Sequence, residues 1–231
     1  MTKHFLREIE RLKRSILAEG TIVERAIDDS IKSLLHKDQA LARRVIENDH
    51  LIDDMEVRIE EDCLKILALH QPVAVDLRFI VATMKINNDL ERMGDLAVNI
   101  AERASYLATQ GPVDVPVDFE EMATVTKRMV EESLQSLVNG DPELALKVTD
   151  EDDIVDDFNR QMYLEVQGRM QQKLEEANNL LHYLSASRHL ERIADLATNI
   201  AEDVIYMISG DIIRHRVEDY TLLDKPDLKR E

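Results

Sequence analysis

Oxygen ligands recur along this chain at helical spacing. Glu91, Asp95, Asn99 and Glu102 fall in the run LERMGDLAVNIAE at residues 90–102, and Glu191, Asp195, Asn199 and Glu202 fall in LERIADLATNIAE at residues 190–202. At about 100° per residue, each set of four occupies an arc of roughly 80° of a helix, with Met93, Leu96 and Ile100 on the opposite side in the first copy. A shorter acidic row precedes each set: Asp49 and Asp53 in the first, Asp152 and Asp156 in the second. Like charges four residues apart cost about 0.2–0.5 kcal/mol per pair on an exposed helix, and more where two rows face each other. A bound cation offsets that repulsion. Carboxylate and amide oxygens, with no thiolate or imidazole among them, suit hard ions such as magnesium, calcium, manganese or iron. The sequence therefore offers Asp49, Asp53, Glu91, Asp95 and Asn99, and then Asp152, Asp156, Glu191, Asp195 and Asn199, as candidate ligands. Asp153 and Asp157 form a competing pair at the same spacing in the second set. Glu102, Glu202, Arg92 and Arg192 are candidates for additional or supporting contacts, the two arginines as ion-pair partners of the acids.

These rows need helices that bring them together. The two runs match at ten of thirteen positions with an offset of one hundred residues, the mark of two copies of one structural unit. Apolar residues three and four apart (Phe5, Ile9, Leu12, Ile16, Val23, Ile27, Ile31, Leu34) predict a helix over 3–35, with one longer step across Gly20. Asp38 serves as N-cap for a helix over 39–69 carrying Leu41, Val45, Ile52, Ile59, Leu64 and Leu67, which Pro72 ends. A helix over 74–107 follows, with Leu77, Ile80, Met84, Leu90 and Met93 on its stripe. TQGPVDVPVD at residues 109–118 is a linker. The pattern then repeats as helices over 119–138, 142–171 and 175–209, punctuated by Asn139–Gly140 and by Asp141–Pro142. The charged residues after 210 are expected to fray.

Turn position tests whether the rows meet. In an antiparallel hairpin, residues equidistant from the turn lie at one height. Asp53 with Glu91 and Asp49 with Asp95 share the midpoint residue 72, which is Pro72. Asp156 with Glu191 and Asp152 with Asp195 share a midpoint between 173 and 174, inside the weakly apolar QQKLEE. The expected fold is thus all-α: two tandem, pseudo-symmetric three-helix bundles over 1–108 and 119–210, with a tail over 211–231.

Composition narrows the function. Aromatics make up 4%, Gly numbers 6 and Pro 5, which favours helix over strand. A net charge of −18 argues against direct nucleic-acid binding and against a purely electrostatic hold on anionic lipid. Neither a secretory signal nor an integral membrane span is recognisable, so a cytoplasmic, soluble protein is expected. The single cysteine, Cys63, reads as a small core residue. No phosphate-binding loop, dinucleotide glycine pattern or nucleophile elbow is present. Glu47 and His50 spell the Glu-x-x-His of di-iron carboxylate enzymes, but the equivalent positions, Asp150 and Asp153, carry no histidine.

The doubled Leu-Glu-Arg-x-x-Asp-x-x-x-Asn-Ile-Ala-Glu, on the third helix of each half, resembles the PhoU family of phosphate-transport regulators. The resemblance runs over nearly the whole chain. It implies a cytoplasmic homodimer that acts as a negative regulator of the phosphate-starvation response. Its implied partners are the ATPase subunit of a phosphate ABC transporter and a phosphate-sensing histidine kinase. It also implies metal ions, divalent or ferric (iron, manganese, magnesium or zinc), on the acid pairs at Asp49/Asp53, Glu91/Asp95, Asp152/Asp156 and Glu191/Asp195. The competing readings from other classes are a metal-dependent carboxylate-site enzyme and a helical dimerisation module without ligand.

Overall fold

The structure, a computed structural model, describes residues 3–111, 113–114 and 118–210. The tail expected to fray lies outside the described residues, as does part of the linker. Among the described residues there are seven α-helices, one short 3-10 turn and no strand: α1 (Lys3–His36), α2 (Gln39–Asn48), α3 (His50–His70), α4 (Ala74–Leu107), α5 (Phe119–Asn139), α6 (Pro142–Gln172) and α7 (Ala177–Ser209), with the 3-10 turn at Leu174–Glu176. The all-α class is the one expected.

The punctuation acts where it was read. Asp38 accepts a hydrogen bond from the Leu41 N–H, and Asp141 accepts from Glu143 and Leu144, with Pro142 opening α6. Gly140 and Gly210 end α5 and α7 in the left-handed region, at φ 60° and 80°, where a side chain would be strained. Gln71, at φ 45°, closes α3 just before Pro72.

One helix expected to be continuous is not. The 39–69 segment divides at Asp49 into α2 and α3, whereas α6, its counterpart, runs unbroken. His50 Nδ1 lies 2.8 Å from the Glu47 carbonyl, and the Ile52 N–H bonds the Asp49 carbonyl at 2.8 Å in a tightened turn. A ring that occupies a main-chain acceptor displaces the regular ladder at that point. Two stripe residues also differ from expectation: Leu64 and Leu77, near the Pro72 turn, are 52% and 40% exposed. The inward face of α3 is instead Ile52, Ile59, Cys63 and Ile66. Cys63 is fully buried, and burial pushes its thiol up to about 12.

Within each half the helices pack as a bundle: α1 against α2, α3 and α4, and α5 against α6 and α7. The halves join through α4 on α7 and α1 on α5, so that a single apolar core runs through both. Lys85, early in α4, bonds Asp203, late in α7, at 2.9 Å. Tyr106, at the end of α4, stacks on His182, early in α7, with ring centroids 3.9 Å apart. These contacts make α4 and α7 antiparallel, with the two motif copies crossing at their centres.

Candidate metal centre

The two motif copies occupy the same environment. From residue 91 to 101 and from 191 to 201, exposed, half-buried and buried positions coincide one for one. Glu91 and Glu191 are half-buried, Asp95 and Asp195 exposed, Asn99 and Asn199 half-buried, while Met93, Leu96 and Ile100 turn into the core with Ile193, Leu196 and Ile200. Asp49 and Asp152 are half-buried, and Asp53 and Asp156 exposed, on the facing helices.

The rows meet in the register the turns require. A Cβ placed on Gly94 would lie 2.8 Å from Ile52 Cδ1 and 3.6 Å from Asp49 Oδ1, so α4 closes on the start of α3 at that height. The carboxylates feel one another. Burial, then Asp53 and Asp95, push the Asp49 carboxyl up to about 6, against a small opposing pull from His50. Burial raises Glu91, with Asp95, Asp53, Glu56 and Asp49 adding to it. In the second half, burial, Asp195 and Asp156 push Asp152 up to about 6, although Thr198 donates a hydrogen bond to its Oδ1 at 3.3 Å. Glu191 and Asp195 are raised by burial and by neighbouring acids, with Arg192 pulling the other way. Asp153 contributes only the smallest of the influences on Asp152.

Other polar residues of the motifs have partners of their own. Arg92 pairs with Asp89, at 3.6 Å, rather than with an acid of the rows. Asn99 donates from Nδ2 to the Asp95 main-chain carbonyl at 2.8 Å. Glu102 bonds Arg103 at 3.1 Å and is exposed, whereas Glu202 is half-buried. Where α4 crosses α7, Arg92, Asp95, Leu96, Asn99, Arg192, Asp195, Leu196 and Asn199 line a polar cleft of about 310 Å³. Single-helix periodicity gives no sign of this cleft, because it exists only where the copies cross.

One participant was missed. Glu19, on α1, is fully buried, and neither of its carboxylate oxygens has a hydrogen-bond partner among the described residues. Burial pushes it up to about 8, with Glu56 and Glu91 adding to the shift. Asn87, 2% exposed, donates to the Glu56 carbonyl at 3.0 Å while its own Oδ1 goes unmatched. The signal was the gap in the α1 stripe: Glu19 stands three residues after Ile16 and four before Val23, in the slot where an apolar residue belongs. Asn87 fills the corresponding gap between Met84 and Leu90.

The donor set fits a hard cation: oxygen only, anionic, and held with its repulsion unrelieved. Among the described residues, however, no three of these carboxylates bring ligand atoms within 4.8 Å of one another. The arrangement is an open pair of rows.

Fold and acidic faces together define a class: an all-helical protein built by duplication, with a carboxylate-lined face on each half. The PhoU domain description matches residues 16–104 and 119–204, and the chain belongs to the PhoU family. Among its relatives, the "Phosphate-specific transport system accessory protein PhoU homolog" of Aquifex aeolicus is 41% identical over 213 residues, covering 91% of this chain and 95% of that one. The homologue of Pseudomonas aeruginosa is 37% identical over 218 residues, with 93% and 89% covered. The crystal structure of PhoU from Pseudomonas aeruginosa superposes with a TM-score of 0.86 over 90% of this chain and 100% of that one. That of the phosphate transport system regulatory protein PhoU from Streptococcus pneumoniae, 27% identical, gives 0.80 over 90% and 98%.

Proposed function

We propose that this chain is a non-catalytic accessory protein of phosphate transport and a negative regulator of the phosphate-starvation response. In this reading it acts in the cytoplasm as a homodimer. It couples the ATPase subunit of a phosphate ABC transporter to a phosphate-sensing histidine kinase, and its acidic faces carry divalent or ferric ions. Family membership over most of the chain supports the transport role. The observation that carries the metal reading is the twofold recurrence of a facing carboxylate quartet, with Asp49 and Glu91 raised in the first half and Asp152 and Glu191 in the second. Surface acids fixed by composition alone would not repeat one pattern in both halves, with Asp49, Glu91, Asp152 and Glu191 half-buried and their partners exposed beside them.

When bound, the ions supply the positive charge that the rows lack. Asp49, Asp53, Glu91 and Asp95 would hold them on the first face, and Asp152, Asp156, Glu191 and Asp195 on the second. Asn99 and Asn199 offer neutral amide oxygens beside them. In this reading the output is binding to a partner rather than turnover, in keeping with relatives named as accessory proteins. Any effect on transcription is indirect, given a net charge of −18.

Two measurements test this. Metal content of the purified chain is compared with that of the Asp95→Ala/Asp195→Ala variant, which should lose stoichiometric metal; full retention refutes the ligand assignment. Co-purification with the transporter ATPase and with the kinase is expected for the wild type. Binding to neither partner, or steady turnover of a phosphoester, would refute the adaptor role.

A further inference from the structure

Away from the acidic faces, at one end of the first bundle, three side chains of another kind converge. His4 and Glu8 stand four apart on α1, and His70 is the last residue of α3. His70 Nε2 lies 2.5 Å from Glu8 Oε2, and His4 Nε2 lies 3.7 Å from Glu8 Oε1. One ligand atom from each residue falls within 4.8 Å of the other two, and this is the one such triad of His, Cys, Asp or Glu among the described residues. We propose that His4, Glu8 and His70 form a binding site for a borderline-soft divalent cation, of which zinc is the type. This site is separate from the acidic rows and does not depend on them.

The chemistry differs from that of the rows. Two imidazoles and one carboxylate are the donor set that zinc favours over magnesium or calcium. Donor atoms around a tetrahedral zinc with bonds of about 2.0–2.1 Å sit roughly 3.3 Å apart. The contacts of 2.5 and 3.7 Å bracket that spacing, so small side-chain rotations bring the set onto an ion, with a fourth position left for water. The site is half-made in advance. Glu8 and His70 are only 16% and 17% exposed, and the edge of Phe5 meets the His70 ring at 5.2 Å between centroids. His4, 72% exposed, is the arm that closes on the ion. The negative pole of the α3 C-terminus and the positive pole of the α1 N-terminus lie together here and offset. The Glu8 carboxylate is therefore the net attraction for the cation, with Lys65 the nearby opposing charge.

The counterparts of His4, Glu8 and His70 in the second half are Leu107, Gly111 and Lys173, which carry no such set, so one zinc per chain is expected here. Bound there, zinc ties the start of α1 to the end of α3, against the turn that sets the register of the first acidic face.

The experiment is titration of the untagged, full-length chain with zinc, followed by calorimetry and by NMR of the histidine ring signals. Wild type should take up one zinc that is absent from the His4→Ala/His70→Ala variant and weakened at least roughly tenfold in Glu8→Gln, since loss of supporting groups alone costs about 10–100-fold. Zinc should shift the His4 and His70 ring signals of the wild type. Unshifted ring signals, or undiminished zinc uptake by the double-histidine variant, would overturn the proposal, and the wild-type spectrum decides even if that variant folds poorly. The Asp95→Ala/Asp195→Ala variant should keep this zinc, so failure here and failure of the acidic-face reading give different results.

Discussion

The two halves of this molecule carry the same acidic hairpin on different foundations. Beneath Glu91 lies the buried Glu19, with Glu56 and Asn87 around it. The corresponding positions in the second half, taken from the shared spacing of caps and motifs, are Met122, Asn159 and Ser187. There Met122 is buried without charge, and Ser187 donates to Asn159 Oδ1 at 2.9 Å. A second difference lies where the helices touch. Gly94 meets Ile52 in the first half, while Ala194 and Val155 occupy those places in the second, so a methyl gained on one helix is matched by a methylene lost on the other. The outward faces stayed alike while the inward supports diverged. Repeated ligand geometry is therefore achieved by two distinct packings, and among the described residues Glu19, in the first half, is the carboxylate with both oxygens buried and unmatched.

Exchange of the supports tests that contrast, and the largest effect should come from charge. Met122→Glu places a carboxylate in the second core at a position that is 1% exposed, and should cost roughly 3–5 kcal/mol in denaturant unfolding. If Met122→Glu were neutral, the two cores would be equally tolerant and Glu19 would lose its distinction. The reverse change, Glu19→Met, should stabilise the metal-free protein in a pH-dependent way. Glu19 is raised from 4.5 to about 8 on folding, so the native state holds a proton that the unfolded chain has released. That contribution is complete below the unfolded value and disappears as pH rises through the folded one. The wild type should lose roughly 3–5 kcal/mol from this group between about pH 5 and pH 9, and Glu19→Met should lack that part of the slope.

The contact at Gly94 should matter next. Gly94→Ala drives a Cβ to 2.8 Å from Ile52 Cδ1 and should cost about 1–2 kcal/mol despite a better helix propensity. With Ile52→Val, the pairing used by the second half, the same substitution should become neutral or stabilising. A double-mutant cycle with no coupling would break the idea of compensated packing.

The acidic faces themselves should show the same sign in both halves. Asp49 and Asp152 are each raised from 3.8 to about 6. Metal-free protein should therefore lose stability as pH rises through about 6, and saturating metal should flatten that loss. Thermal unfolding across pH, with and without metal, reads both. The smallest effect should come from Thr198→Val, which gives the second face the first face's residue. Loss of its bond to Asp152 should cost at most about 1 kcal/mol and move the Asp152 titration further up, as seen by carboxyl NMR.

Much of this could be read from residue order. Caps at Asp38 and Asp141, stops at Gly140 and Gly210, and the register about Pro72 all rest on interactions within a few residues. The break at Asp49 was hidden because no Pro or Gly marks it; it falls where the His50 ring lies 2.8 Å from the Glu47 carbonyl. Arg92 was misassigned to the rows because helical spacing brings it within reach of Asp89 and Asp95 alike, and only the side-chain conformation chooses. Glu19 and Asn87 left a trace as gaps in apolar stripes, but a gap does not say whether water or another helix fills it.

By itself, the sequence determined the duplication, the helices and the heights at which opposing acids sit, because periodicity, capping and turn length are local and cumulative. Tertiary structure alone decided that α4 crosses α7 to make a cleft between the two motif copies. It also decided that Glu19 loses its water, and that His70 arrives beside a residue 62 positions away. Burial and convergence depend on which helix covers which face, and that is a property of the assembled core rather than of any stretch of chain.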